Sequence, residues 1–357
     1  MGGPGDPPEG APEGGPGGGE DEYRSVVFDE SFVRAARLQE FSAQERMGDH
    51  APAVRRRPPM HRGLSRQALV LVLLIALAFG TAIYMGVRHP YETPAAVRDS
   101  HLPLRMTVVP LAPQGKVPGA ADAESLYDHS PAAKYRVGAA GITFPAARDT
   151  SHFSETQVLS ALDTVKEYIV HSALDPEVLT GGQTRPVRVL LPADQYLQFD
   201  ESLSHPAADG AHAVTGWLVR FDPESVELAD PRIRVQGTLR AAETESTILE
   251  ITADHTFVYA LRPVGAGAED EVSLFTVRRE MQFRFDRDDV RLHQAQLSMS
   301  YVQAGPLSCG DNSADLLSPL LAGQTAKAGG PAGTDPYATG EATAVCGTLA
   351  TGALPKL

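Results

Sequence analysis

The stretches Thr247 to Leu261, TILEITADHTFVYAL, and Val272 to Phe285, VSLFTVRREMQFRF, decide the fold. In the first, Leu249, Ile251, Phe257, Tyr259 and Leu261 share one parity; in the second, Phe275, Val277, Met281, Phe283 and Phe285 do. Successive side chains of a strand point to opposite faces, so a period of two predicts strands with one buried face and one wet face. The connections are short: Pro263 to Asp270 holds two glycines, and Asp286-Arg287-Asp288-Asp289 reads as a polar turn into a further strand, Arg291 to Tyr301. Such connections favour antiparallel hairpins, because a parallel pair needs a crossover of a dozen or more residues.

Working upstream, Arg232 to Arg240 sets Ile233, Val235 and Leu239 against Arg232, Arg234, Gln236, Thr238 and Arg240, again a half-buried strand. Val187 to Leu191 and Val214 to Phe221, which holds the only tryptophan, Trp217, read as shorter strands. Ser154 to Ala173 carries Val158, Ala161, Leu162, Val165 and Ile169 at helical spacing, with Asp163, Lys166 and Glu167 on the other side. Ser154 and Gln157 form a capping box, and Pro176 with Gly181-Gly182 ends the helix. One amphipathic helix and a set of hairpin strands bury their apolar faces against each other most economically as an α+β domain. The expected domain, over residues 151–305, is a helix packed on a curved antiparallel sheet.

The other strong signal lies nearer the amino terminus. Ala68 to Val87, ALVLVLLIALAFGTAIYMGV, is a run of 20 uncharged residues. At 1.5 Å per residue it matches a hydrocarbon core of about 30 Å, and the expected transmembrane helix covers residues 67–88. Arg55, Arg56, Arg57, Arg62 and Arg66 precede it, while Arg88 and Arg98 are the nearest arginines after it. Positive charge stays on the cytoplasmic side, which predicts an uncleaved anchor in the plasma membrane with the amino terminus inside and the domain after it outside. Residues 48–66 then form a basic juxtamembrane linker.

Residues 1–27 are read as a disordered cytoplasmic tail, since the first 19 hold nine Gly and five Pro and no large apolar side chain. Residues 28–47 change character: Phe28, Phe32 and Ala36 are spaced by four and Phe41 follows, with charged residues interleaved. This amphipathic helix fits two roles equally, docking of Phe28, Phe32 and Phe41 into a cytosolic partner's groove or lying on the inner membrane surface. Residues 89–150, with eight prolines and little periodicity, read as a stalk or an irregular wrapping segment. Within it, Leu104 to Leu111 and Tyr135 to Phe144 could supply edge strands.

A single span after a short cytoplasmic arm, then a helix and long hairpin strands, resembles membrane-anchored NTF2-like or cystatin-like domains of bacterial envelope assemblies. The arm itself, DEYRSVVFDESFVRAARLQEFSAQERMGDHAPAVRRRPP from Asp21, followed by the span, is similar to a family of streptomycete single-pass membrane proteins of unknown function. The first resemblance implies the fold just described; the second implies no activity.

The chemistry-bearing residues are few. Cys309 and Cys346 are the only cysteines, and two thiols in an oxidising compartment most simply pair, tethering the Gly/Ala/Pro-rich tail at 306–357. His255 and His293 fall in expected strands and could face each other across the sheet, but a hydrogen-bonded histidine explains them without a metal. Asp286, Asp288 and Asp289 lack the spacing of a calcium loop and fit turn chemistry. No GxSxG, P-loop or dinucleotide fingerprint occurs, so no catalytic, cofactor or metal residues are assigned. The formal net charge of -14 argues against a nucleic-acid partner. The function expected is therefore non-enzymatic: an anchor in the lipid bilayer, an outer domain that binds an envelope partner or ligand, and an inner arm that meets a cytosolic protein. The alternatives are an anti-sigma-like signal transducer and an enzyme with a pocket between helix and sheet lined by Tyr168, Trp217 and Tyr259.

Overall fold

The computed structural model describes residues 66–88, 103–245, 247–267, 271–327, 332–339 and 346–357. The tail at 1–27, the segment with Phe28, Phe32 and Phe41, and Arg55, Arg56, Arg57 and Arg62 lie outside the described residues. The chain divides into two units, Met1–Tyr91 and Glu92–Leu357.

In the first unit, Arg66–Arg88 forms helix α1, 23 residues and about 35 Å long at the usual rise. Among the described residues no helix is long and apolar enough to cross a membrane. On α1 the described side chains run only from Val70 to Thr81, and all of them are exposed.

The second unit begins with β1 (Arg105–Ala112), α2 (Ala123–Asp128) and β2 (Arg136–Val137). A helical layer follows: α3 (Glu155–Ala173), α4 (Pro176–Leu179), α5 (Arg185–Arg188), α6 (Tyr196–Ser204) and α7 (Val214–Trp217). Then come β3 (Val226–Glu245), β4 (Ile248–Pro263), β5 (Ser273–Phe285), α8 (Arg287–Leu292), β6 (Gln296–Gly305), β7 (Ala332–Thr334) and β8 (Gly347–Leu349). The sheet order is β2-β3-β4-β5-β6-β1-β8-β7. Pairing is antiparallel from β2 to β6 and parallel from β6 through β1 and β8 to β7.

The domain is α+β, but its sheet is mixed where a purely antiparallel one was expected. The reason is β1, which is separated from its neighbour β6 by the helical layer and four strands, a connection long enough to bring a parallel strand alongside. Among the described strands β1 pairs with β6 up to Pro110, and β8 joins the other side from Leu111 onward. A proline, which has no N–H to give, is tolerated at that junction.

One face of the long strands carries the main core. Ile251, Phe257 and Tyr259 of β4 and Phe275, Val277, Met281 and Phe283 of β5 pack with Val158, Leu162, Val165 and Ile169 of α3. Ser154 and Gln157 form the expected capping box at the start of α3. The rings of Tyr168 and Phe283 meet edge to face at 5.2 Å, and the Tyr259 hydroxyl donates to the Ala173 carbonyl at 2.8 Å, fixing helix to sheet.

Several local expectations are corrected. Residues 185–188 are a helical turn because Pro186 stands in its first turn, and Val187 is buried from there. Val214–Trp217 is also helical, and only then does the chain extend, with Val219 N–H donating to Ser172 at 2.8 Å. Both segments are apolar runs too short for periodicity to separate strand from helix. Tyr135 to Phe144 yields a strand of two residues, since Gly138 at φ 56 turns the chain and Gly141 then sits directly against the backbone of Val235. The Asp286 turn is the start of α8, where Asp286 and Asp289 cap each other's backbone. The segment after 305 is part of the domain: Leu307, Leu317 and Leu321 join the main core, and Leu349 and Ala353 pack with Val109 and Leu111.

Candidate functional site

The second face of β3, β4 and β5 carries the even-numbered residues, and register sets them in rows. Thr238, Asp254 and Glu280 form one row; Gln236, Thr256 and Arg278 a second; Arg240, Thr252 and Gln282 a third. Above the first and third rows lies a groove of about 370 Å³, lined by Thr238, Arg240, Thr252, Asp254, Arg278, Glu280 and Thr339. Period two in β3 to β5 places these polar residues together on the side away from α3.

Arg278 is the floor of the groove. Its side chain is only 4% exposed, and Nε and Nη2 each donate to a carboxylate oxygen of Asp254 at 2.8 Å. Glu280 lies 3.7 Å from the same Nη2. Burial works against the Arg278 charge, but the hydrogen bond to Asp254 and the attraction of both carboxylates outweigh it and hold the guanidinium above its ordinary value. Arg240 differs: it is exposed, and among the described residues it has no ion-pair partner. Beside the groove the chain segment 335–339 is pinned to the sheet, Thr256 donating to the Pro336 carbonyl at 2.9 Å and Thr276 sharing a 2.9 Å hydrogen bond with the Tyr337 hydroxyl. Burial raises the Tyr337 phenol, which stays neutral in that contact.

A second cleft, of about 340 Å³, lies beside β1 and is lined by Met106, Thr107, Gly210, Asp311 and Asn312 together with the disulfide. Cys309 and Cys346 are bonded there with Cα atoms 5.8 Å apart, within the usual range for a bridge.

Arg279 and His255 stand on the core face, in the interior between sheet and helices. Arg279 is fully buried; it donates to Ser172 Oγ at 2.9 Å and to the Gly216 and Trp217 carbonyls at 3.0 and 2.7 Å. The two carbonyls end α7, where helix carbonyls carry partial negative charge, and the Ser172 hydroxyl stands in the last turn of α3. Burial nonetheless lowers the affinity of Arg279 for the proton. His255 faces Arg279 across the β4–β5 pair and Gly237 across the β3–β4 pair, and among the described residues neither of its ring nitrogens has a hydrogen-bond partner. Burial brings the His255 pKa down to about 4, so the ring is neutral at pH 7.

The structure separates residues that sequence reasoning had paired. His293 caps α8 at a left-handed φ of 53 instead of lying in a strand, and the residues opposite His255 in the sheet are Gly237 and Arg279. Tyr168, Trp217 and Tyr259 are core rather than pocket lining; Trp217 Nε1 donates to Ser202 Oγ at 3.0 Å and its ring meets Phe199 edge to face at 5.3 Å. Arg66 is the first residue of α1. Sequence reasoning missed the groove residues Thr252, Asp254, Arg278 and Glu280, although the alternation that placed their apolar neighbours inside also placed them together outside.

Compared with known proteins, the chain matches no family model, no curated protein and no solved structure.

Proposed function

We propose that this chain is a single-pass membrane protein without catalytic activity of its own, whose domain beyond the anchor binds a ligand or envelope partner outside the cell membrane in the sheet groove. The observation that carries the reading is the contrast between the two faces of one sheet. The face toward α3 is packed mainly with apolar side chains, whereas the other leaves a polar hollow whose rim carries the Arg240 guanidinium, without an ion-pair partner among the described residues. Specific pockets combine a shaped surface with a few convergent polar groups, and this hollow has both.

Support for the anchor comes from α1. Val70 to Ile75, Leu77 and Phe79 are 50 to 67% exposed on consecutive turns, all around the helix. Water would make that arrangement costly, at about 25 cal/mol for each Å² of apolar surface, while lipid would welcome it. The arginines before the helix support an amino terminus on the cytoplasmic side. The inner arm, through Phe28, Phe32 and Phe41, would then meet a cytosolic protein.

Two measurements test this. A tag at the carboxyl terminus should be cleaved by protease added to intact protoplasts; a protected tag in a membrane-bound protein would refute the outward placement. A photo-crosslinker at position 252 should give one discrete adduct in intact cells, suppressed by Arg240→Ala. Adducts that are unchanged by that substitution would remove the groove as the site.

A further inference from the structure

We propose that the groove takes a small zwitterion, a free amino acid or a short peptide with both termini uncapped, holding its carboxylate at Arg240 and its ammonium group at Glu280. The inference rests on the groove being the binding site and names what it binds.

The charges around the groove are unequally engaged. Arg278 is buried and occupied by the bidentate Asp254 contact, so it forms floor rather than a docking point. With Glu280 3.7 Å away, that end holds two carboxylates and one guanidinium, an excess of one negative charge. Glu280 remains 31% exposed, so its carboxylate is reachable from solvent. The opposite end holds Arg240, exposed and without an ion-pair partner among the described residues, an excess of one positive charge. The groove is thus neutral as a whole and polarised along its length. A simple anion or cation would gain at one end and be repelled at the other; only a ligand carrying both signs is favoured at both.

The register sets the length of that ligand. Arg240 pairs with Thr252 and Thr252 with Gln282, so Glu280 lies two strands across and two residues along from Arg240. Strand spacing and rise place their Cα positions about 12 Å apart. Both side chains line the groove across this span, so a ligand that meets both is shorter than the Cα separation, a chain of one or two residues at about 3.5 Å per residue. Between the two ends stand the hydroxyls of Thr238, Thr252 and Thr339, each able to donate to or accept from a peptide group. At the positive end the forked guanidinium matches a carboxylate in shape as well as charge.

The test is calorimetric titration of the full-length protein in phosphatidylcholine nanodiscs with dialanine, N-acetyl-dialanine, dialanine amide and the neutral sugar maltotriose. Dialanine should bind saturably, and capping either terminus should weaken it by about tenfold. Arg240→Gln should remove the effect of capping the carboxylate, and Glu280→Gln that of capping the amine, as expected when each cap and each substitution delete the same contact. Both positions face solvent, and circular dichroism verifies that the variants fold. Equal affinity for capped and free dialanine, or binding untouched by both substitutions, would overturn the assignment. Maltotriose binding that Thr252→Trp abolishes, without any response to dialanine, would overturn the zwitterion while leaving the groove as a site. No heat from either ligand would count against both.

Discussion

Replacing His255 by Leu should remove a specific part of the pH dependence of stability. In the folded domain the imidazole is fully buried between Gly237 and Arg279, and burial lowers its pKa to about 4. In the unfolded chain the value returns to about 6.5. Between these values the unfolded state binds a proton that the folded state refuses, so the stabilisation is complete above pH 6.5 and is lost as pH falls toward 4. The slope is about 1.4 kcal/mol per pH unit, which from pH 7.5 to 5 amounts to about 2 kcal/mol. That window lies above the range of the depressed carboxylates Asp209 and Glu243, both near 2; the first is held down chiefly by its hydrogen bond from His212, the second chiefly by Thr150. Trp217, the only tryptophan and fully inside the core, reports unfolding. Urea titrations of residues 92–357 at pH 7.5, 6.5, 5.5 and 5 should show wild type losing about 2 kcal/mol more than His255→Leu across the series. Leu should cost little at pH 7.5, because it fills a similar volume and removes two unpaired buried nitrogens. Identical slopes for the two proteins would refute the reasoning, for they would mean that the ring is solvated or hydrogen-bonded in the folded state.

Reducing the disulfide, or Cys309→Ser with Cys346→Ser, should destabilise the domain by about 3 to 4 kcal/mol, the loop-entropy value for a separation of 37 residues, read as a fall in the urea midpoint. Asp254→Asn should cost about 3 kcal/mol by leaving the buried Arg278 guanidinium short of its charged partner, and thermal unfolding checks it against the surface control Arg240→Gln, which should change stability by less than about 0.5 kcal/mol. Gly237→Ala should lower stability by about 1 to 3 kcal/mol, since a methyl group there runs into the His255 ring and the Asp254 carbonyl; His255→Ala in the same chain should recover part of that loss.

The main β-strands and the long helix were legible because each obeys one period over many residues. The odd residues are buried from Leu249 to Leu261 in β4 and throughout β5, and in α3 Val158, Leu162, Val165 and Ile169 keep helical spacing with a capping box in front. Where an apolar run was short, as at 187–191 and 214–221, the pattern could not discriminate, and neighbours decided: Gly216, for instance, packs directly on Met106 of β1, 110 positions away. The groove was legible only as a wet face. Arg240 was visible as an outward residue, and the same alternation puts Asp254, Arg278 and Glu280 outward on β4 and β5, but their grouping depends on register, and a shift of one residue would have dispersed them.

The amino-acid order alone therefore determined local properties: the period of each long strand, the cap of α3, the apolar character of residues 68–87, and the supply of two cysteines. Tertiary structure decided which residues meet. It inserted β1 parallel to β6, drew the Gly- and Ala-rich segment after 305 into the core, and buried Arg279 among helix carbonyls instead of beside a carboxylate. The physical reason is range: periodicity and capping act over a few residues, while strand register and the desolvation of a charge depend on groups brought together from distant parts of the chain.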